Sequence, residues 1–164
     1  TNMKKNGILI LTILLLASFR AGAQTIDKFF DRYANDDRFT YVSVGKGMMN
    51  LASTFGANKN MDKNQKEVLD RLTGIKILTL ENSRDEKLMN SVLDELDKVI
   101  RAGKYETAVR VKDKDETVNI FFRTTGKDQS DMIIVSKEKN EMSIIWMNGK
   151  MTKEEMSDIF SQNS

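Results

Sequence analysis

Apolar and polar residues alternate through the last third of the chain, and this alternation predicts four consecutive antiparallel strands. Short polar turns separate the strands, so the run favours a meander with an apolar face to bury. Alternate residues of the first strand, from Tyr105 to Val111, are expected to share one face. The last two strands are apolar on both faces, which predicts that a helix or a partner covers their outer side. The predicted strands are Tyr105–Lys112, Thr117–Thr125, Asp131–Lys137 and Glu141–Met147.

Four earlier segments place apolar residues three and four positions apart, the spacing of one helix face. Asp62 is expected to cap the third helix, and a capping box at Ser83–Glu86 is expected to open the fourth, about Arg84 to Ala102. This longest helix is expected to be the main cover of the sheet. It is also expected to bury the apolar face of the first hairpin of the meander without another element. The four faces are Ile26, Phe29, Phe30 and Tyr33; Met48, Leu51, Ala52 and Phe55; Val68, Leu69 and Leu72; and a stripe from Leu88 to Ile100.

Two shorter strands are expected among these helices, at Phe39–Val44 and Ile75–Leu80. The second is apolar on both sides, which favours a central place in the sheet. Gly74 is expected just past the end of the third helix, and Asn148-Gly149 is expected to form a turn. A capping box at Thr152–Glu155 predicts a short C-terminal helix with Met156, Ile159 and Phe160 on its apolar side.

The order of these elements indicates an α+β domain, because helices separate the first strands while the last four strands follow one another. The expected architecture is a two-layer sandwich. It consists of a largely antiparallel sheet that ends in the four-strand meander, with the helices packed on it. The strand order and the oligomeric state stay open at this point.

The N-terminal segment has the order of a secretory signal peptide: basic, then apolar, then small residues. Lys4 and Lys5 precede an apolar run over residues 8–17, and Ala21-Gly22-Ala23 supplies the small residues. We therefore predict a signal peptide over residues 1–23, with Met3 as the expected start.

Signal-peptidase cleavage is expected between Ala23 and Gln24, which leaves a single α+β domain over residues 24–164. The apolar run is shorter than the roughly 20 residues that span a bilayer. No stable membrane span is therefore expected after cleavage, and an uncleaved anchor is the alternative. We expect a periplasmic or secreted protein.

Composition narrows the possible functions. Residues 1–23 hold three basic residues and no acidic one, so cleavage turns the formal net charge from +2 into −1. A basic surface for nucleic acid is therefore not expected. Cysteine is absent, so neither disulfides nor a lipid anchor on a cysteine is expected. Histidine is absent too, which removes the usual general base near neutral pH and most zinc sites.

We therefore predict no catalytic residue, no cofactor and no metal site. The enzyme hypotheses that remain are a Ser-Lys enzyme and a carboxylate-pair enzyme, with a carboxylate-dependent hydrolase first among them. Gly45-Lys46-Gly47 lacks the spacing of a phosphate-binding loop and is interpreted as a strand-to-helix turn. Asp113 to Glu116 lacks the calcium-loop pattern and is interpreted as a hairpin turn.

Three other features are interpreted as structural. Only one residue of the Met48-Met49 pair can face a core, and Trp146 is expected in or beside the core. The charged residues of the longest helix are interpreted as a solvated face, within which two have the spacing of a helical ion pair. These residues are Asp94, Glu95, Asp97 and Lys98, with Asp94 and Lys98 as the pair.

A family resemblance covers the expected mature domain. It lies in the aromatic helix, the strand and helix from Tyr41 to Leu51, the Leu72–Leu78 segment, the long helix, Gly103–Glu106, the hairpins, and Ile144–Gly149. In these features the chain resembles the DUF4252 family, small exported Bacteroidetes proteins of uncharacterised function. The resemblance implies an envelope location and hints at envelope signalling, and it brings no catalytic residues. Many members look like lipoproteins, whereas this chain has no cysteine at the cleavage site.

The leading hypothesis is an exported cell-envelope protein that is not an enzyme and that acts by binding another envelope protein, as a regulatory module. It rests on the export segment, the missing catalytic residue types and the two apolar faces of the last strands. The alternative is a periplasmic carrier of a small ligand or lipid, with the meander as a curved wall and a helix as its lid.

Overall fold

A computed structural model describes residues 25–55 and 63–155, which form a mixed domain of helices and strands. The helices are α1 (Ile26–Tyr33), α2 (Lys46–Phe55), α3 (Lys63–Arg71) and α4 (Glu86–Ala102). The strands are β1 (Thr40–Gly45), β2 (Leu72–Leu80), β3 (Glu106–Lys112), β4 (Thr117–Gly126), β5 (Gln129–Lys137) and β6 (Met142–Gly149). Residues 153–155 begin a further helical turn. The predicted α+β class is confirmed.

The strands form one antiparallel sheet in the order β1-β2-β6-β5-β4-β3. Strands β3 to β6 are neighbours in chain order, which confirms the predicted meander. Helix α4 leads from β2 to the far edge of the sheet at β3, and the meander then returns to set β6 against β2. Strand β2 therefore has a neighbour on each side, as its two apolar sides predicted. The edges of the sheet are β1 and β3.

Helices α1 and α4 cover one face of the sheet, which we call the α4 face. The aromatic side chains of α1 are buried there, with the Phe29 ring edge-on to Phe30 and close to Tyr33. Each buried Leu, Val or Phe contributes about 1.5–3 kcal/mol, so the α4 stripe is a main source of stability. The helical part of this core is Ile26, Phe29, Phe30, Tyr33, Met89, Val92, Leu96, Val99 and Ile100.

A second buried cluster lies on the opposite face, which we call the α2 face. It joins Met49 of α2 to residues of β2, β4 and β5 and to Met151 after β6. The two clusters explain why β5 and β6 are apolar on both sides. Ile133 and Ile144 are buried on the α4 face, whereas Met132 is buried on the α2 face.

A β-bulge in β3 overturns the expected single face of that strand. The pairing of β3 with β4 shifts between Thr107 and Val109. Tyr105 packs on the α4 face, but Val109 lies opposite Ile120, a residue of the α2-face cluster. An extra residue in a bulge reverses the alternation of sides, which the period-two pattern cannot show. The apolar side of the first hairpin thus points away from α4, and the prediction that this helix suffices to cover it is wrong.

Two predicted helix features are also shifted. Helix α4 begins at Glu86, because Asp85 is its N-cap and accepts a hydrogen bond from the Leu88 amide at 2.9 Å. The Ser83 hydroxyl instead accepts from the Asp85 amide at 3.1 Å, which holds a turn before the helix. In α2, Met49 is buried and Met48 is 64% exposed, so the expected helix face at Met48 is wrong.

Gly74 and Asn148-Gly149 lie within strands and not at the predicted helix end and turn. Helix α3 ends at Arg71 and passes directly into β2, where Leu72 pairs with Gly149. A Cβ atom on Gly149 would lie 2.6 Å from the Arg71 carbonyl oxygen. These glycines therefore allow the α3–β2 junction and β6 to approach each other closely.

The capping box after β6 is confirmed. The Thr152 amide donates to the Glu155 carboxylate at 2.9 Å, and the Glu155 amide donates to the Thr152 hydroxyl at 3.3 Å. Several predictions fall outside the described residues: the cleavage site at Ala23 and Gln24, the cap at Asp62, and Met156, Ile159 and Phe160.

Candidate functional site

Asp131 is a charged residue buried in the α4 face, with 1% of its surface exposed. It lies on β5 in phase with buried Ile133, and the strand register sets it opposite Arg123 of β4. The two side chains meet as a fork, with Arg123 Nε 3.0 Å from one carboxylate oxygen and Nη2 2.7 Å from the other. Such bidentate, charge-assisted pairs are among the strong hydrogen bonds of proteins.

Two aromatic residues complete the coordination of this carboxylate. The Tyr105 hydroxyl donates to Asp131 Oδ2 at 2.5 Å, and Trp146 Nε1 donates to the same oxygen at 3.0 Å. The end of α4 places Tyr105, whose amide donates to the Ile100 carbonyl at 3.1 Å. A Cβ on Gly103 would lie 2.7 Å from the Tyr105 ring, so glycine leaves room for this side chain.

The electrostatics of the cluster favour the charged form of Arg123. The guanidinium of Arg123 lies 4.3 Å from the centre of the Tyr105 ring, a cation–π contact. The hydrogen bonds to Asp131 raise the pKa of Arg123, and burial together with the bond to Asp131 raises the pKa of Tyr105. The Asp131 carboxylate accepts four hydrogen bonds, all of them from side chains of this cluster. The geometry is that of a structural tie between β4, β5, β6 and the start of β3.

A cleft of about 310 Å³ opens beside this cluster. Its walls come from the end of α4, the cluster and the start of α1, and the volume is at the low end of the roughly 300–1,000 Å³ of ligand pockets. Both charges on the wall have partners, since Arg123 binds Asp131 and Asp27 binds Lys76 Nζ at 2.8 Å. The lining residues are Thr25, Ile26, Asp27, Val99, Ala102, Gly103, Tyr105, Arg123 and Trp146.

The two edges of the sheet differ in chemistry. Every residue of β3 is exposed, but three of its residues are charged (Glu106, Arg110 and Lys112), and the strand is bulged. Strand β1 has the sequence TYVSVG, without charge or proline, and it pairs with β2 in an unbroken register from Thr40 to Gly45. Charges and bulges are the devices that protect sheet edges from pairing with another chain. Strand β3 carries both, and β1 carries neither.

Exposed apolar side chains lie at both edges, since Val109 and Val111 of β3 are 36% and 53% exposed. Val42 of β1 is 41% exposed, and Met48, early in the helix that follows it, is 64% exposed. Among the described strands, none pairs with the outer edge of β1. Within residues 25–55 and 63–155, the backbone N–H and C=O groups on that edge therefore have no strand partner, an arrangement that suits strand addition from another molecule.

The structure also tests the residues that the sequence singled out. Gly45 ends β1 and Lys46 begins α2, which confirms the strand-to-helix turn. The Asp113 amide donates to the Glu116 carbonyl at 2.9 Å, which confirms the hairpin turn. Trp146 is buried, as predicted.

The prediction of a solvated charged face on α4 is wrong at Glu95. Glu95 turns toward α1, where it accepts from the Tyr33 hydroxyl at 2.5 Å and from Arg32 at 2.9 Å. The helical ion pair on the exposed side of α4 joins Asp97 and Arg101 at 2.8 Å, and not the predicted Asp94 and Lys98.

Sequence reasoning missed the Arg123–Asp131 tie. A signal was present, because Asp131 is in phase with apolar Ile133 and Val135, and an acid on a buried face needs a partner. Arg123 is the basic residue opposite it once the β4–β5 register is known. That register depends on the turn at residues 127–128, which the pattern alone does not fix.

Within residues 25–55 and 63–155, no group of three or more acidic side chains converges in a way that could hold a metal ion. Over the same ranges, no helix combines the length and the apolar character that crossing a membrane requires.

These features define an α+β domain with one open antiparallel sheet, a buried arginine–aspartate tie and an unprotected edge. The chain belongs to the DUF4252 family, whose model matches residues 33–159 and is described as a domain of unknown function. The match includes all six strands, and it confirms the resemblance seen in the sequence. A comparison with curated proteins gives no match.

Proposed function

We propose that the protein is exported to the cell envelope and acts there by binding protein strands at the free edge of β1, without catalysing a reaction. The observation that carries the proposal is the contrast between the two sheet edges. Strand β3 has charges and a bulge, whereas β1 has an uncharged and regular edge. An extended strand can add to such an edge through backbone hydrogen bonds, with side-chain contacts giving specificity.

The other parts of the proposal rest on the sequence and on the buried cluster. Export is supported by the basic, apolar and small residues of the N-terminal segment. A binding role without catalysis is supported by the lack of histidine and cysteine and by an Asp131 carboxylate that four donors already occupy.

Site-specific photo-crosslinking in exporting cells tests this proposal. A photoreactive residue replaces Ser43 on β1 or, as the matched control, Arg110 on β3; both positions are exposed. We expect protein adducts at position 43 and few at position 110. The mass of the purified adducts should also place the mature N-terminus at Gln24. An absence of adducts at 43, or equal adducts at both edges, would contradict strand binding at β1.

The cleft beside Arg123 supports a second candidate, a carrier of a small ligand, because aromatic rings and a guanidinium meet in one concavity. Ala102 lines the cleft and is exposed, so Ala102→Trp should fill it. Native mass spectrometry of the purified protein should then show a bound small molecule in the wild type and in the exposed control Ser91→Trp, but not in Ala102→Trp. A ligand-free wild type, or equal occupancy in all three, would count against the carrier.

A further inference from the structure

The β1 edge fits a second copy of this chain: we infer that two molecules pair β1 with β1, antiparallel, about a twofold axis at Val42. The inference rests on the proposed binding function of this edge and names its partner. It joins two six-stranded sheets into one continuous sheet.

The sides of β1 restrict the register of this pairing to an axis at a residue, and Val42 is one of the two central residues of the strand. Directly opposed residues of antiparallel strands share a face, so a twofold axis at Val42 keeps equivalent faces together. Tyr41 packs on the α4 face and Val44 on the α2 face, which fixes the two sides of the strand. Val42 would oppose Val42 of the second copy, Thr40 would oppose Val44, and Tyr41 would oppose Ser43.

Each opposed pair in this register is compatible. Strand β1 contains no charged residue, so no like charges face each other across the axis. β-Branched and aromatic residues on opposed positions stabilise neighbouring strands. A charged strand from another protein would find no complementary charge on β1, whereas an identical strand matches it in side-chain type and length.

Closure favours a second copy over an open-ended chain of molecules. Pairing through β1 consumes the unprotected edge of both molecules and leaves β3 at each end of the joined sheet. Those ends carry Glu106, Arg110, Lys112 and the bulge, which resist further strand addition. A molecule with one bare and one protected edge is thus suited to a closed twofold dimer.

The interface is small, because it uses six residues of each β1 strand and the exposed Val42 side chain. Small interfaces belong to weak complexes, so a dissociation constant on the order of micromolar is expected. The dimer should therefore form and dissociate within the concentration range of sedimentation velocity.

Charge substitution at the axis tests the inference. The full chain is expressed, and the protein that accumulates in the cells is purified. Sedimentation velocity is then measured from low micromolar to submillimolar protein concentration. We expect a monomer–dimer equilibrium whose dissociation constant rises about tenfold or more in Val42→Lys and in Val42→Glu, because each places like charges in opposition. An equimolar mixture of the two variants should restore the dimer. Val111→Lys, the matched control on β3, should leave it unchanged.

A monomer at every concentration would overturn the inference, as would a dimer that the Val42 variants leave intact. If these variants fail to fold, Val42→Cys supplies a second measurement, since the chain has no other cysteine. Mild oxidation should link Val42→Cys into a dimer and leave Val111→Cys monomeric, and the reverse would overturn the inference. A monomer that still gives crosslinks to other proteins at position 43 refutes self-pairing alone. A monomer without such crosslinks refutes the proposed function as well.

Discussion

At the scale of single residues, Asp131 organises the α4 side of the meander. Its carboxylate takes four hydrogen bonds, from side chains of β4 and β6 and from Tyr105 directly before β3. It is 1% exposed, so water cannot replace any donor that is lost. A buried charge of this kind is stable only while its partners stay in place.

Asp131→Asn should therefore destabilise the protein. Arg123 would lose its counter-charge, and one of its hydrogen bonds would meet an amide NH₂ group instead of an oxygen. Breaking a buried ion pair costs about 3–5 kcal/mol, and the partial exposure of Arg123 places this case near the lower value. Chemical denaturation measures the change in the free energy of unfolding.

The matched control is Asp97→Asn, which removes an ion pair with Arg101 on the exposed side of α4. Exposed pairs contribute only about 0–1 kcal/mol, so this variant should unfold nearly as the wild type does. Equal losses in the two variants would contradict the structural role given to Asp131.

Residue-level predictions from the sequence succeeded where one property decides the position. Phe29 and Phe30 are buried because the helical period places both on one face. For the Met48-Met49 pair, the sequence shows only that the two side chains cannot both face the core. The structure shows that Met49 is the buried one. The charge of Glu95 alone predicts a position in solvent, because its partner Tyr33 lies 62 positions away in the chain.

At the scale of elements, the close contact between the α3–β2 junction and β6 depends on glycine at position 149, which has no side chain. Gly149 faces the Arg71 carbonyl and Leu72 Cα, both backbone atoms that cannot move aside. Gly149→Ala should cost about 1–3 kcal/mol of unfolding free energy, because the added methyl overpacks this contact.

Gly47→Ala is the matched control for this substitution. Nothing lies within 4 Å of a Cβ at Gly47, and the residue is near the start of α2. Alanine should be neutral there, or stabilising by up to about 1 kcal/mol, since it reduces the entropy lost on helix formation. A thermal shift of the same size and sign in both variants would contradict the close approach at Gly149.

Most elements could be predicted from the sequence, because helices and strands follow local periodicity. The bulge in β3 could not, since one extra residue reverses the side of each residue that precedes it without changing the composition. The predicted start of α4 lies two residues too early because Ser83 and Asp85 both have the chemistry of a cap, and only the structure shows which one accepts from the helix.

At the scale of the whole molecule, the sheet order was not predictable from the sequence. The pairing of β2 with β6 joins segments about 70 residues apart, and local patterns carry no information about such contacts. This pairing decides which strands become edges. The candidate interaction edge at β1 and the protected edge at β3 therefore appeared only with the structure, although their compositions were visible in the chain.

The asymmetry of the two edges connects fold to function. Strand β3, the first strand of the meander and one edge of the sheet, carries charges and a bulge, while β1 presents an uncharged and regular backbone. An unprotected edge is a liability unless a partner uses it. On this basis we propose β1 as the binding edge of the protein and a second copy of the chain as the partner that closes it.

Hydrogen exchange of the unmodified protein tests this claim most directly, because strand pairing protects the outward backbone amides of an edge. Peptides covering residues 40–45 and 106–112 are compared at low micromolar and at submillimolar protein concentration by mass spectrometry. We predict that exchange at 40–45 slows with concentration, whereas exchange at 106–112 stays fast and unchanged. Equal exchange at 40–45 under both conditions, or slowing confined to 106–112, would contradict pairing at β1.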